Sequence, residues 1–391
     1  MAGRHGIARS LNRSDMRTIK QLFLFSILLT RLTGCTLLAA NGSVENTPSI
    51  STAIHTSGFP NEGGEESSPL IALAYYTGDQ ESYDSFAMFS DYLNYLAVDV
   101  FTVQMDGNIT GADDLGVVPL AHSRAIEVFA CVSNYNNDPS VEDFDPALAH
   151  AATVTYRSQV IENMLALALR DGYDGVNVDF EGLAYSSDID EDRAAFTAFI
   201  RELAQALHAQ KLKLIVSVPA ATATSRENTW AYPFDLAALG DAADLIQLMT
   251  YDQHGSWSAP GAVAGADWVG ESLRYALSQI ATDKLLIGLP AYGYDWDLTA
   301  SNIEAGSFDA ADVSWKEIPV LLKKPSVQQG WDATALSPFL TYTENGHTHE
   351  VWYENADSIR KKVELMKEYD LAGFSVWAVG KEDAVFWEAM E

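Results

Sequence analysis

Asn177, Asp179 and Glu181 stand two apart in the stretch Asp171-Gly172-Tyr173-Asp174-Gly175-Val176-Asn177-Val178-Asp179-Phe180-Glu181-Gly182-Leu183. Strand side chains alternate faces with period two, so these three share one face while Val176, Val178 and Phe180 share the other. In an ordinary core each acid would be an unpaired buried charge, which is costly. The strand is therefore either a solvated edge or one wall of a site. In a site, one carboxyl group kept protonated by a like-charged neighbour can give its proton to a leaving oxygen. The neighbouring carboxylate would be its helper.

The same residues resemble the Asp-x-x-Asp-x-Asp-x-Glu motif of glycoside hydrolase family 18, with Asp174 first, Asn177 in the second position, then Asp179 and Glu181. Met249-Thr250-Tyr251-Asp252-Gln253-His254 is similar to the family's Met-x-Tyr-Asp segment, and Ser375-Val376-Trp377 matches the tryptophan that floors its sugar pocket. Tyr75 and Tyr76 match its first-strand aromatics less specifically. Gly288-Leu289-Pro290-Ala291-Tyr292-Gly293-Tyr294 looks most like the bacterial branch acting on spore cortex and cell wall. The resemblance implies hydrolysis of β-1,4-linked N-acetylglucosamine glycans, chitin oligosaccharides or peptidoglycan, by a retaining, substrate-assisted route that stands apart from the two-carboxylate scheme. It makes Glu181 the general acid and Asp179 the residue that orients the sugar's 2-acetamido group, whose oxygen attacks the anomeric carbon. Tyr251 helps Asp179 steady the ring that forms, and Asn177 and Asp174 complete the motif. Tyr75, Met249, Asp252, Gln253 and Trp377 are the implied sugar contacts. No cofactor or metal is called for, and His254 has no second histidine at ligand spacing. With an amide at 177, Asp179 lacks one like-charged neighbour and is expected to be an anion already in mildly acidic solution.

The elements that must carry these residues are legible as short apolar strands alternating with amphipathic helices. Strands are expected at 71–76, 98–103, 126–132, the motif, 212–218, 245–249, 285–289 and 373–377, with a helical stretch from about Ser82 to Tyr95 after the first. Phe196, Phe199, Ile200, Leu203 and Leu207 fall at helical spacing after Asp190-Glu191-Asp192, as do Ile359, Val363 and Met366 after Asp357-Ser358. Eight such units favour a closed parallel barrel, the TIM (β/α)8 fold, with chemistry at the C-terminal strand ends. Residues from about 297 to 353 break the alternation, with the hairpin-like Thr341-Tyr342-Thr343-Glu344-Asn345-Gly346-His347. They read as a small insertion between the last two strands. Tyr292, Tyr294 and Trp296 line the cleft or pack beneath that insertion.

At 391 residues the chain accommodates one such barrel, assigned to 70–391, plus a leader and a linker. Its formal charge of −30 sets it against nucleic acid and anionic membrane surfaces as partners, and a neutral polysaccharide is indifferent to it. Residues 1–35 resemble a bacterial lipoprotein signal: Arg17 and Lys20, the apolar run Leu22–Leu29, then Leu32-Thr33-Gly34-Cys35, with Arg31 as a departure. Translation starting at Met16 would suit that layout. Cys35 would then be lipidated and anchor an exported protein. Loss of residues 1–35 removes six bases and one acid, turning −30 into −35. The stretch 36–69, with Gly63-Gly64-Glu65-Glu66-Ser67-Ser68, reads as a flexible tether. Cys131, in an apolar run, reads as a small buried hydrophobe. Two other function classes are weighed. A chitinase-like lectin would keep the barrel but usually lose the acid, and an importer's solute-binding lipoprotein would be two-lobed and lack the motif strand.

Overall fold

The computed structural model describes residues 69–136 and 143–391. The expected signal with Cys35, and the tether up to residue 68, lie outside the described residues. Seven parallel strands come first: β1 Ile71–Tyr76, β2 Tyr95–Val103, β3 Glu127–Ser133, β4 Gly175–Asp179, β5 Lys213–Pro219, β6 Leu245–Met249 and β7 Leu285–Pro290. An inserted antiparallel sheet follows, β8 Tyr292–Asp297, β9 Ala310–Ser314, β10 Gln328–Asp332, β11 Ser337–Glu344 and β12 His347–Trp352. The last barrel strand is β13, Gly373–Trp377. It pairs with β7 on one side and β1 on the other, and β1 pairs with β2, so the eight parallel strands close on themselves. The fold is a TIM barrel with an insertion between its last two strands, as the sequence implies.

Each barrel strand is buried on both faces, which is why its sequence reads as an almost unbroken apolar run. One face fills the barrel with Leu73, Tyr75, Ala97, Phe129, Cys131, Ile215, Leu245 and Leu286. The other face packs against the helices. Helix α1, Gln80–Phe89, starts where the Asp79 side chain accepts from the Ser82 backbone N–H. Helix α2, Arg157–Asp171, ends on Gly172 in the left-handed region. Helix α3, Ile189–His208, carries Asp190, Glu191 and Asp192 in its first turn and buries Phe196, Phe199, Ile200, Leu203 and Leu207. Helix α4, Ala356–Glu368, buries Ile359, Val363 and Met366.

Two boundaries differ from the sequence reading. The helix expected to reach Tyr95 ends at Phe89, and after a short 3-10 turn Tyr95 already opens β2 because its ring faces into the barrel on Phe129. The insertion begins at Tyr292, not near 297, since β8 leaves β7 after Ala291 and pairs at once with β9 and β12. The expected hairpin is β11–β12, turning on Asn345 and Gly346 at φ of 52° and 87°, the backbone a two-residue hairpin loop requires.

Candidate active site at the barrel mouth

Burial grades along β4 toward its C-terminal end. Asn177 is 0% exposed, Asp179 6%, and Glu181, just past the strand, is only half-buried at the mouth. The three positions share one side of the chain, as their spacing predicts. Gly182 then turns the backbone at φ of 62°, where a Cβ would lie 3.2 Å from Trp230.

Glu181 is held through its backbone. Asn134, immediately after β3 and fully buried, accepts from the Glu181 N–H at 2.8 Å and donates to the Glu181 carbonyl at 2.8 Å and the Asp145 carbonyl at 3.0 Å. Such an amide leaves the carboxyl free to face the cleft while its main chain is pinned. Burial raises the Glu181 carboxyl well above the usual range, and Asp179, Asp252 and Asp99 push it further in the same direction.

Below it, Asp179 is pushed up to about 7, first by burial and then by Asp99 of β2. This corrects the expectation that the amide at 177 leaves Asp179 ionised in mildly acidic solution. A like charge reaches it from another strand, and desolvation outweighs the missing neighbour. One Asp179 carboxylate oxygen, Oδ1, is buried without a hydrogen-bond partner.

Asn177 donates through Nδ2 to Ser217 Oγ at 3.1 Å, and Ser217 Oγ in turn lies 3.0 Å from the Tyr75 hydroxyl. The Tyr75 ring sits 5.2 Å from that of Trp377, so the aromatics of the first and last strands meet at the mouth. Tyr251, just beyond β6, receives Gln247 Nε2 at 3.3 Å, and the same Gln247 amide donates to Ser375 Oγ at 3.0 Å. Burial, then Asp179 and Glu181, keep the Tyr251 hydroxyl protonated far above its ordinary range. Gly288 of β7 makes room for this ring, since a Cβ there would lie 2.8 Å from Tyr251 Cε1. Asp252 adopts φ of 58°, a conformation Asp tolerates better than most residues. It accepts from the hydroxyls of Tyr292 at 2.6 Å and Tyr294 at 3.1 Å. The insertion is thereby tied to the mouth through β8, and Trp296 packs under it with Nε1 donating to the Ser258 carbonyl.

Two residues of the sequence reading fall elsewhere or serve differently. Asp174 lies at the opposite end of β4, where its carboxylate accepts from the Val128 N–H at 2.8 Å and pairs with His122 at 2.9 Å. It ties strand starts together, because seven residues along a strand span the barrel's height and carry it away from Glu181. Gln253 turns its side-chain oxygen to the Gly265 N–H at 2.9 Å and braces the loop after β6. Met249 stands at the C-terminal end of β6 as expected, buried beside Pro219 in register. Conversely, Asp99, Asn134, Ser217 and Gln247 belong to the cluster and escaped notice. Asp99, Ser217 and Gln247 did leave a trace, as single polar residues within otherwise apolar strands; Asn134 left none, lying beyond the strand end.

A closed parallel barrel with carboxylates, phenols and a tryptophan gathered at its C-terminal mouth has the build of a carbohydrate-active barrel enzyme. A family model for glycosyl hydrolases family 18 matches residues 74–382. The chain is 36% identical over 344 residues to the uncharacterized glycosylase YvbX of Bacillus subtilis, covering 87% of this chain and 96% of that one. It is 30% identical over 294 residues to the cortical fragment-lytic enzyme of the same organism, covering 74% of this chain and 65% of that one. Among solved structures, a chitinase from Chromobacterium violaceum superposes with a TM-score of 0.75 at 36% identity, covering 82% of this chain and 98% of that one. The spore cortex-lytic enzyme SleL of Bacillus cereus does so with a TM-score of 0.73 at 27% identity, covering 82% and 73%. The chain belongs to glycosyl hydrolases family 18 and is a glycosidase.

Proposed function

We propose that this glycosidase cleaves β-1,4-linked N-acetylglucosamine glycans, chitin oligosaccharides or the glycan of peptidoglycan, with retention and with the substrate's own acetamide as nucleophile. The observation that carries the reading is the stacked trio at the mouth. Glu181, whose carboxyl is favoured in its protonated form by burial and by neighbouring acids, is half-buried at the mouth, Asp179 with an unpartnered oxygen precedes it by two positions on the same side of the chain, and the Tyr251 hydroxyl feels the charge of both. Glu181 protonates the leaving oxygen. Asp179 accepts from the acetamido N–H and holds the group so that its oxygen meets the anomeric carbon, and Asp179 and Tyr251 steady the charged ring that results. Water then opens that ring with Glu181 as base, which returns the original anomer. Trp377, partly exposed at the mouth, supplies stacking surface for the sugar, and the buried Tyr75 ring backs it.

The test is incubation of the chain from residue 36 onward with N-acetylglucosamine oligomers and with isolated peptidoglycan. New reducing ends are read by mass spectrometry and the first-formed anomer by proton NMR. Cleavage of oligomers lacking the 2-acetamido group, or a first product of inverted configuration, would overturn the mechanism. We further propose that the protein is exported and membrane-anchored through a lipidated Cys35, with residues 36–69 as the tether.

A further inference from the structure

Two loops meet beside the acid, one running from Glu181 to the start of α3 and the other from the end of β5 to Asp235. Both are tied to the first turn of α3. Asp192, 6% exposed, accepts from the backbone N–H groups of Tyr185 and Ser186, each at 2.9 Å, and so fixes the loop that carries Glu181. Asp188 and Asp190 hold the other loop. Arg226 bridges their two carboxylates, with Nη2 3.1 Å from Asp188 Oδ1, and the Tyr232 hydroxyl donates to Asp190 Oδ1 at 2.6 Å. Two guanidinium groups stand over the Tyr232 ring, Arg226 at 5.6 Å and Arg193 at 5.1 Å, and Arg193 also donates to the Tyr232 and Phe234 carbonyls. Between Arg226 and Tyr232 the loop puts out Trp230, which is 44% exposed and has its ring edge against Gly182, the residue after the acid. Around the barrel β4 and β5 stand opposite β13 and β1, so Trp230 and Trp377 belong to opposite sides of the mouth.

We infer that Trp230 is a specificity-determining residue that binds the sugar on the leaving side of the cleaved bond, and that Arg226 is the positioning residue that sets it there. The inference rests on the roles proposed above for Glu181 and Trp377. Glu181 gives its proton to the oxygen that joins two sugars. With one of them over Trp377, the other extends past Glu181 toward Gly182 and Trp230. An exposed indole offers a sugar ring a flat apolar face with little freedom to lose. Because Gly182 has no side chain, that face comes up against the acid's own backbone. The ion pairs of Arg226 are half-solvated and screened by salt, so they contribute little to global stability. What they fix is where the loop stands: Arg226 and Tyr232 converge on one turn of a packed helix, and Trp230 lies between them in the chain. The acidic start of α3 thereby aligns the loop of the acid with the loop of the sugar contact.

The experiment compares kcat/KM of the full-length chain on two substrates. The N-acetylglucosamine hexamer places sugars on both sides of the bond, whereas the β-fluoride of the dimer has a single atom as its leaving group. Trp230→Ala should lower kcat/KM on the hexamer about tenfold, chiefly through KM, and leave the fluoride within about twofold, since one stacking contact is lost on one substrate only. Arg226→Ala should act in the same direction at about three- to fivefold, and adding it to Trp230→Ala should change nothing further, because residues that act through one another are not additive. Fluorotryptophan NMR of the Glu181→Gln protein, with the Trp230 line identified by its loss in Trp230→Ala, should show that line shifting when hexamer is added and when Arg226→Ala is introduced. Equal losses on both substrates, or a Trp230 line that hexamer leaves in place, would overturn the sugar contact. Additive losses in the folded double variant would overturn the role of Arg226. Those outcomes leave the substrate reading standing, whereas a wild type inert on both substrates would overturn that reading and the contact with it.

Discussion

Asn134 grips Glu181 by both backbone polar groups, accepting from its N–H and donating to its carbonyl, each at 2.8 Å. The acid thus stands at the mouth on a main chain tied to the end of β3, although it lies past the last paired residue of β4. Asn134→Ala should lower kcat about ten- to a hundredfold, because loss of orientation at the acid is felt directly in the barrier, with KM little changed. Unfolding free energy should fall by about 1–3 kcal/mol as the buried partners are left unpaired. A folded Asn134→Ala enzyme with wild-type kcat would show that the grip does not serve Glu181.

Replacing the acid itself is more severe. Glu181→Gln keeps the shape and removes the proton, so turnover should drop about a hundred- to ten-thousandfold while sugar binding survives. Steady-state rates together with calorimetric binding of an oligosaccharide check it. Near-normal turnover in a folded variant would exclude Glu181 as the acid.

Gly288→Ala probes the space under Tyr251. The added Cβ would lie 2.8 Å from the ring and 2.7 Å from the Leu248 carbonyl, and backbone cannot yield as a side-chain tip does. We expect a stability loss of about 1–3 kcal/mol and a fall in kcat larger than any change in binding. Thermal unfolding and kinetics read the two effects separately; an unperturbed enzyme would mean that Tyr251 has slack.

The raised acids also shape stability. Asp99 and Asp179 move from 3.8 to about 6 and about 7 on folding. The folded state therefore binds more protons than the unfolded one between these values. Their contribution to stability is fully present below about pH 4 and is lost as pH rises through 6 to 7. Asp179→Asn removes that loss, so the variant-minus-wild-type stability should increase from pH 4 to pH 8, by roughly 1–3 kcal/mol. Urea unfolding of both proteins at the two pH values measures it. A pH-independent difference would mean that Asp179 ionises alike in both states.

Anchoring is tested apart from catalysis. On the proposed anchoring, Cys35→Ser should abolish lipid labelling and move the protein out of the membrane fraction, because the lipid chain would be what holds a polar tether to the bilayer. Unchanged labelling and fractionation would remove the lipoprotein proposal and leave the glycosidase untouched.

The sequence by itself determined the barrel and the row of residues on β4. Strand periodicity is local, and a side chain's face follows from its parity, so Asn177, Asp179 and Glu181 could be placed together, and the alternating strand and helix patterns counted. Tyr251 and Trp377 were legible for a related reason, since they end apolar runs and strand ends at one mouth of the barrel converge. The electrical environment was another matter. Asp99 stands 80 positions before Asp179, and its charge reaches Asp179 only when β2, β3 and β4 align in one barrel wall. The hold of Asn134 on Glu181, and that of Tyr292 and Tyr294 on Asp252, likewise join segments far apart in the chain. Asp174 shows the converse: close to Glu181 in sequence, it stands at the other end of the strand, bound to Val128 and His122. Desolvation and charge coupling depend on distances through space, and closure of the barrel is what sets them.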